Sequence, residues 1–160
     1  MNKNNKITAI QSDQLHLFSD WAASEGWNPG LNDIALYHAI DPNGFFVSEV
    51  EGEPVAILST VKYSPTFGFL GFYIVKPEYR GQGYGLNIWQ HSLQYLEGTC
   101  IGLDGVVEQQ VNYQKSGFTL AYRNIRYRGT GGGAMDKHTN IVPLESLSFQ
   151  TVSDYTNPFL

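Results

Sequence analysis

Apolar side chains in the first forty residues recur at the spacing of helices. A short apolar strand is predicted at 7–10. A helix is predicted over 11–24, because apolar side chains there repeat every three or four residues. Gly26 is suited to end that helix. A second, shorter helix is predicted to end near residue 40, before a turn rich in Pro and Gly.

From residue 45 onward the pattern becomes that of strands and then returns to helices. The runs 45–50 and 55–62 predict a hairpin, and 67–75 predicts a central strand because it is apolar on both faces. A helix comes next, with apolar side chains at Leu86, Trp89, Leu93 and Leu96. The last elements predicted are a strand at 101–103, a helix at 108–116 and a long strand at 118–127. This order predicts a mixed α/β domain.

The composition excludes several classes of protein. The chain has 160 residues, of which 42% are hydrophobic, as is typical of a folded domain. Ten Lys and Arg residues against 15 Asp and Glu residues give a net charge of −5, which argues against nucleic-acid binding. The single cysteine, Cys100, excludes an intrachain disulfide and a cysteine-based zinc site, and we expect no metal. The polar N-terminus and the lack of an apolar run of about 20 residues predict a cytoplasmic protein outside the membrane.

A glycine-rich stretch at 129–133 predicts a linker after a first domain of residues 1–128. Beyond it, residues 141–147 resemble residues 7–13, since both combine a short apolar strand with a polar cap before an amphipathic run. One interpretation of residues 129–160 is a linker followed by the start of a second, similar domain. The other interpretation is a C-terminal arm that packs on the first domain.

The turn between the central strand and the next helix carries the clearest chemical signal. Glycines stand at 81, 83 and 85, where they let the backbone approach a ligand closely. The first N–H groups of the helix lack intrahelical partners, and the helix dipole adds positive potential there. Arg80 adds a full positive charge. The sequence therefore predicts an anion site suited to a pyrophosphate, although neither the Rossmann nor the Walker A spacing is present.

Two motifs in this chain resemble those of the GNAT superfamily of acyl-CoA-dependent N-acetyltransferases. The first motif consists of Val75, Pro77, Arg80, Gly81, Gly83 and Gly85. The second is Tyr-Gln-Lys-Ser-Gly-Phe at 113–118. The resemblance implies a GNAT-type fold, in which a central, splayed mixed sheet is flanked by helices. It also implies that acetyl-CoA is the co-substrate and that a small-molecule or peptide amine is the acceptor.

The resemblance further implies which residues hold the coenzyme. Backbone groups of Tyr73, Ile74 and Val75 would pair with its pantetheine arm. Backbone N–H groups of the turn and of the first helical residues would hold the pyrophosphate; these residues are Gly81, Gln82, Gly83, Tyr84, Gly85 and Leu86. The amine would attack the thioester directly, and Tyr113 would protonate the departing thiolate. The alternative for Tyr113 is an aromatic packing residue.

The general base is less evident. Gly71 stands where many members of the family have a glutamate on the central strand. Asp104, at the end of the next strand, is our first alternative, although a turn or capping role would also explain it. The next candidates are Glu49, Asp33 and His38, and a chain of water molecules without a dedicated base is a further option.

The acceptor is expected to bind between the first two helices. The candidate residues are Trp27, Asn28, Asp33 and Tyr37. The aromatic side chains suit a small apolar or planar acceptor, and the Asp33 carboxylate would attract an ammonium group. The alternative for Trp27 and Tyr37 is packing in the core.

A non-catalytic acyl-CoA-binding domain is the second functional interpretation. The sequence leaves open a homodimer or an association with a second domain.

Overall fold

The computed structural model describes residues 5–125, 127, 129–130 and 141–156. The chain divides into two compact units, residues 1–119 and residues 120–160. The predicted boundary at 128 and the two interpretations of residues 129–160 remain predictions.

The first unit contains five strands and four helices among its described residues. The strands are β1 (Asn5–Ala9), β2 (Phe45–Val50), β3 (Glu53–Ser64), β4 (Phe67–Val75) and β5 (Cys100–Leu103). The helices are α1 (His16–Ser24), α2 (Asp33–Ile40), α3 (Tyr84–Tyr95) and α4 (Gln110–Lys115). Short 3-10 turns precede α1, α3 and α4, at Ser12–Gln14, Pro77–Tyr79 and Val107–Gln109.

The strands form one mixed sheet in the order β1-β2-β3-β4-β5. The first four strands pair antiparallel, and β5 runs parallel to β4. The long crossover that a parallel pair requires contains α3. This architecture confirms the predicted α/β class with its mixed sheet.

The two faces of the sheet carry two separate apolar clusters. On one face, Ile57 and Val61 of β3 pack with Phe18 and Ala22 of α1 and with Ile34 of α2. On the other face, the side chains that pack together are Ala56 and Leu58 of β3, Ile88 and Trp89 of α3, and Leu96 directly after α3. Alternating apolar side chains of β3 therefore contact helices on both faces of the sheet.

The predicted final strand over 118–127 is wrong for the residues described there. Residues 118–125 and 127 belong to no strand. Phe118 is half-buried against Trp89, but the apolar side chains after it are exposed; Tyr122 and Ile125 are each 70% exposed. An apolar, strand-like pattern forms a strand only where a neighbouring strand satisfies its backbone groups. No described strand pairs with this segment.

The second unit has a 3-10 turn at Leu144–Ser146 and one helix, α5 (Phe149–Thr156). The helix agrees with the amphipathic run seen in the sequence, but residues 141–143 form no strand. Among the residues that the structure describes, no helix is both long and apolar enough to cross a membrane.

Candidate functional site

Strand β4 extends beyond its parallel neighbour β5, which is the edge strand of the described sheet. All four residues of β5 pair with β4, from Cys100 opposite Phe67 to Leu103 opposite Leu70, and β5 then ends. Strand β4 continues to Val75, still paired with β3 on its other side. Within the described residues, no strand pairs with the second edge of residues 71–75. Backbone N–H and C=O groups along that edge therefore face a cleft.

A bulge in β4 begins where its pairing with β5 ends. Ser59 lies opposite Gly71 and Ile57 opposite Ile74, so three steps on β4 match two on β3. Phe72, inside the bulge, has a φ of 50°, an uncommon value for a bulky residue. A bulge bends its strand and increases the local twist, so the part of β4 that borders the cleft is irregular.

Beyond Val75, residues 76–83 form a turn that we call the glycine turn. Gly81 and Gly83 have φ values of +73° and +90°, and a β-carbon on either would meet no atom within 4 Å. Gly83 is the N-cap of α3, so the first N–H groups of a 12-residue helix open onto this turn. The turn thus combines left-handed backbone, free space and a helix N-terminus, which together suit an anion.

Gly85 has a different role from the other two glycines. It is buried inside α3, and a β-carbon there would lie 2.7 Å from the Tyr73 hydroxyl oxygen and 2.9 Å from a Val75 methyl carbon. This glycine therefore lets α3 lie directly on β4. Sequence reasoning assigned all three glycines to approach by a ligand, whereas the structure gives Gly85 a packing reason.

The start of the glycine turn is held by polar side chains. Lys76 Nζ lies 2.9 Å from a Glu53 carboxylate oxygen, and the Tyr79 hydroxyl donates to the other oxygen at 3.0 Å. These hydrogen bonds hold the pKa of Glu53 below its usual value. Arg80 Nε donates to the Val75 carbonyl at 2.8 Å, and its guanidinium also contacts the Glu25 carboxylate. Sequence reasoning missed both glutamates, because their partners lie 23 and 55 residues away.

A cavity of about 490 Å³ lies between α3 and α4 and reaches β4. Three aromatic rings dominate it: the ring centroid of Trp89 is 5.3 Å from that of Tyr73 and 5.6 Å from that of Tyr113. The other lining residues are Leu86, Gln90, Leu93, Gln109, Asn112, Lys115 and Ser116. Because Tyr73 belongs to the part of β4 beyond Leu70, the cavity adjoins the cleft.

Both tyrosines of this cavity are held in the protonated form. Burial raises the pKa of Tyr113, while a backbone hydrogen bond from Val106 acts in the opposite direction. Burial, with a smaller contribution from Tyr113, raises the pKa of Tyr73 to about 12. Gly105 packs against the Tyr113 ring so closely that a β-carbon would lie 2.3 Å from a ring carbon. The phenols thus stay neutral hydrogen-bond donors throughout the physiological pH range.

The four candidates for the general base lie on different elements of the fold. Asp104 is exposed and directly follows Leu103, the last residue of β5 to pair with β4. Glu49 lies on β2, so β3 separates it from β4. The Asp33 carboxylate accepts the Gly30 N–H at 2.8 Å. The His38 ring packs edge-on against Phe45, 5.5 Å between centroids.

Gly71 leaves open the space that a side chain would fill on β4. A β-carbon there would meet only the Ser59 hydroxyl oxygen, at 3.0 Å. No carboxylate is therefore offered by the strand at this point, and the neighbouring polar group is a hydroxyl.

The acceptor candidates lie on the α1 and α2 side of the sheet. Trp27 and Tyr37 are half-buried and pack against the cluster that contains Phe18 and Ile34. Phe72 of the bulge packs against the same cluster. Asn28 is exposed in the loop before α2. The tyrosine-lined cavity is on the α3 side, so the sheet separates the two sets.

In the described ranges, no three His, Cys, Asp or Glu side chains are grouped so that they could hold a metal ion.

Comparisons with known proteins identify a matching family and similar proteins. The sequence model of the acetyltransferase (GNAT) family matches residues 8–118. The chain is 36% identical over 124 residues to a protein named holothin acyltransferase from Pseudoalteromonas sp. (strain SANK 73390), covering 78% of this chain and 42% of that protein. It is 30% identical over 108 residues to an uncharacterized protein of Caenorhabditis elegans, covering 62% and 34%. The chain thus spans less than half the length of either relative.

Solved structures share the fold at low sequence identity. Ard1 from Thermoplasma volcanium superposes with a TM-score of 0.64 at 19% identity, covering 74% of this chain and 84% of that one. N-acetylglutamate synthase from Neisseria gonorrhoeae, complexed with coenzyme A and L-arginine, gives a TM-score of 0.61 at 14% identity, covering 74% and 28%.

Proposed function

Because the chain belongs to the acetyltransferase (GNAT) family, we propose that it transfers an acetyl group from acetyl-CoA to a primary amine of a small acceptor. The family transfers acyl groups from acyl-CoA, and the acetyl group, the amine and the route are our proposals for this chain. The observation that carries the proposal is the cleft beside residues 71–75 of β4, which leads to the open glycine turn.

The cleft and turn suit the two parts of the coenzyme. Backbone groups of Tyr73, Ile74 and Val75, on the part of β4 that extends beyond β5, would pair with the amide-containing pantetheine arm as a neighbouring strand would. N–H groups of the turn and the first turn of α3 would hold the pyrophosphate; they belong to Gly81, Gln82, Gly83, Tyr84, Gly85 and Leu86. Arg80 adds positive charge beside them.

The transfer itself needs alignment and two proton movements. The amine nitrogen forms a bond to the acetyl carbonyl carbon, and the carbon–sulfur bond then breaks. Tyr113 donates its hydroxyl proton toward the departing sulfur, a role that its buried, protonated phenol suits. Asp104, directly or through water, takes the proton that the attacking nitrogen loses, because it directly follows the end of β5, where the cleft beside β4 begins.

The acceptor is proposed to bind between α1 and α2, against Trp27, Asn28, Asp33 and Tyr37. Half-buried aromatic side chains there suit a small planar or apolar molecule. The Asp33 carboxylate would attract an ammonium group with the oxygen that does not accept the Gly30 N–H. The name of the Pseudoalteromonas relative, holothin acyltransferase, supports acyl transfer as the reaction of this chain.

One observation favours a second candidate function, a non-catalytic acyl-CoA-binding domain. Gly71 offers no carboxylate at the centre of the cleft, and only a serine hydroxyl adjoins it. In that case the chain would be part of a larger protein, which its share of the two relatives' lengths would fit. A second domain or a second copy of the chain would then complete the acceptor site.

Calorimetry and a thiol-release assay test the proposal together. We expect coenzyme A to bind the wild-type chain and Gly83→Val to bind it much more weakly, because valine rarely adopts a φ of +90°. With acetyl-CoA and a panel of aromatic and aliphatic amines, free thiol should appear with at least one amine. Binding without turnover across the panel would favour the second function, and no binding at all would overturn both.

A further inference from the structure

We propose that Glu25 is a positioning residue that joins the glycine turn to the α1–α2 loop, residues 26–32. The inference rests on the proposed function, because it takes these two segments as the sites of the coenzyme and the acceptor. Its starting point is the ion pair between the Glu25 carboxylate and the Arg80 guanidinium.

On the side of the glycine turn, Arg80 is held from two directions. Its Nε donates to the Val75 carbonyl at 2.8 Å, and one Nη2 hydrogen faces Glu25. A guanidinium has five N–H donors in a planar fork, so three lie outside these two bonds. Arg80 therefore keeps three N–H donors for a bound diphosphate, while Glu25 holds the plane of the guanidinium group in one orientation.

On the side of the loop, Glu25 caps α1. Its N–H donates to the Trp21 carbonyl at 3.1 Å, and Gly26 then turns the chain with a φ of +73°. The Trp27 N–H returns to the Ala22 carbonyl at 2.8 Å. The residue that binds Arg80 is thus also the residue at which the chain leaves α1 and enters the loop.

A second contact joins the same two segments. Lys76 Nζ lies 5.5 Å from the centre of the Trp21 ring, one helical turn before Glu25. The last turn of α1 therefore contacts the glycine turn at two points. Contact at two points resists rotation of the helix end, which the exposed ion pair alone would do weakly.

Hydrogen bonds also hold the far end of the loop, at Gly30 and Asp33. The Gly30 N–H donates to the Asp33 carboxylate at 2.8 Å, and the Asp33 N–H donates to the Gly30 carbonyl at 3.1 Å. Between these ends Trp27 packs against the apolar cluster of α1 and α2, whereas the side chain of Leu31 is fully exposed, so the middle of the loop has fewer restraints than its ends. A diphosphate that immobilises Arg80 would then, through Glu25, reduce the motion of the loop before any acceptor arrives.

Amide hydrogen exchange with coenzyme A as the only ligand tests this inference. In the wild-type chain, saturating coenzyme A should slow exchange in residues 26–32 by about fivefold, the lower end of typical coupling between sites. Glu25→Gln should still bind coenzyme A, because backbone N–H groups supply most contacts to the diphosphate, but the slowing in the loop should disappear. Asp20→Asn removes the same charge from an exposed position on α1 and should behave as wild type.

The outcomes separate the inference from the function on which it rests. Loop protection that is lost only in Glu25→Gln supports the coupling. Coenzyme A binding without loop protection in the wild type, or full protection in Glu25→Gln, overturns it and leaves the proposed function standing. Absence of coenzyme A binding in a folded wild-type chain overturns the proposed function itself. A thermal melt of each variant verifies that it is folded.

Discussion

The Tyr73 hydroxyl lies directly over Gly85, so close that a β-carbon on this glycine would be 2.7 Å from the phenol oxygen. Neither residue can therefore be changed without affecting how α3 rests on β4. The same contact places the phenol of Tyr73 beside the first turn of the helix that would hold the pyrophosphate.

We expect Gly85→Ala to lower the free energy of unfolding by about 1–3 kcal/mol, the usual cost of overpacking a buried site. Chemical denaturation measures this value. Tyr73→Phe in the same chain removes the oxygen at 2.7 Å and should restore part of the loss. Gly129→Ala, where a β-carbon meets no atom within 4 Å, is the matched control. Equal stability of Gly85→Ala and the control would contradict the packing role.

Tyr113→Phe should lower turnover by about 10²- to 10⁴-fold, as expected for loss of a general acid. The ring and its packing on Gly105 remain, so the dissociation constant of coenzyme A should hardly change. Because burial raises the pKa of Tyr113 above its ordinary value, the wild-type enzyme should not lose this proton donor anywhere between about pH 6 and 9. Steady-state kinetics and calorimetry check both statements, and unchanged turnover would remove Tyr113 from the mechanism.

Asp104→Asn tests the proposed base. Loss of a general base should lower kcat by about 10²-fold or more, while the dissociation constant of coenzyme A should hardly change. Glu108→Gln is a suitable control, since it neutralises an exposed carboxylate only four residues further on. Steady-state kinetics measure both variants, and if their kcat values are equal, the proton leaves through another group or through water.

Asp41 is a further position whose change has a clear expected result. Its buried carboxylate accepts hydrogen bonds from the Lys62 N–H at 2.8 Å and from the Tyr95 hydroxyl at 2.8 Å. Asp41→Asn replaces one acceptor oxygen by a donor, so we expect about 1–3 kcal/mol of lost stability. Urea denaturation measures the effect, and Asp20→Asn should show none of it.

Stability should also fall in alkaline solution. The pKa values of Tyr73 and Tyr95 are both about 12, against 10.0 for the unperturbed group. The folded chain keeps these protons at pH values where the unfolded chain has lost them, so stability decreases as pH rises from about 10 toward 12. Denaturation midpoints across this range measure the slope, which the double variant Tyr73→Phe, Tyr95→Phe should flatten. An equal slope in that variant would contradict the assignment.

Local patterns predicted most of this architecture, whereas contacts between distant residues escaped prediction. The motif from Val75 to Gly85 was readable because a strand, a turn and a helix succeed one another without interruption. The sequence does not reveal the ion pairs of Arg80 with Glu25 and of Lys76 with Glu53, since nothing near either basic residue indicates its partner. The left-handed backbone of Phe72 has no sequence signal, because it arises where β4 pairs with β3.

The wrong prediction at 118–127 has the same origin. Leu120 and Tyr122 have the alternation of a strand, but alternation describes side chains, and a strand also needs backbone partners. This error changes the predicted site little, because the position of the cleft depends on where β5 ends rather than on the segment after α4.

The short pairing of β5 has a consequence for how the protein folds. Strands β2, β3 and β4 are joined by tight hairpins, so they can assemble through contacts that are close along the chain. Strand β5 adds only four paired positions and must first close the crossover that contains α3. We therefore expect β5 to join the sheet after the hairpins and to open locally more readily than they do. A ligand that contacts both β4 and β5 would raise the melting temperature, and the rise would continue with the logarithm of ligand concentration after the site is saturated.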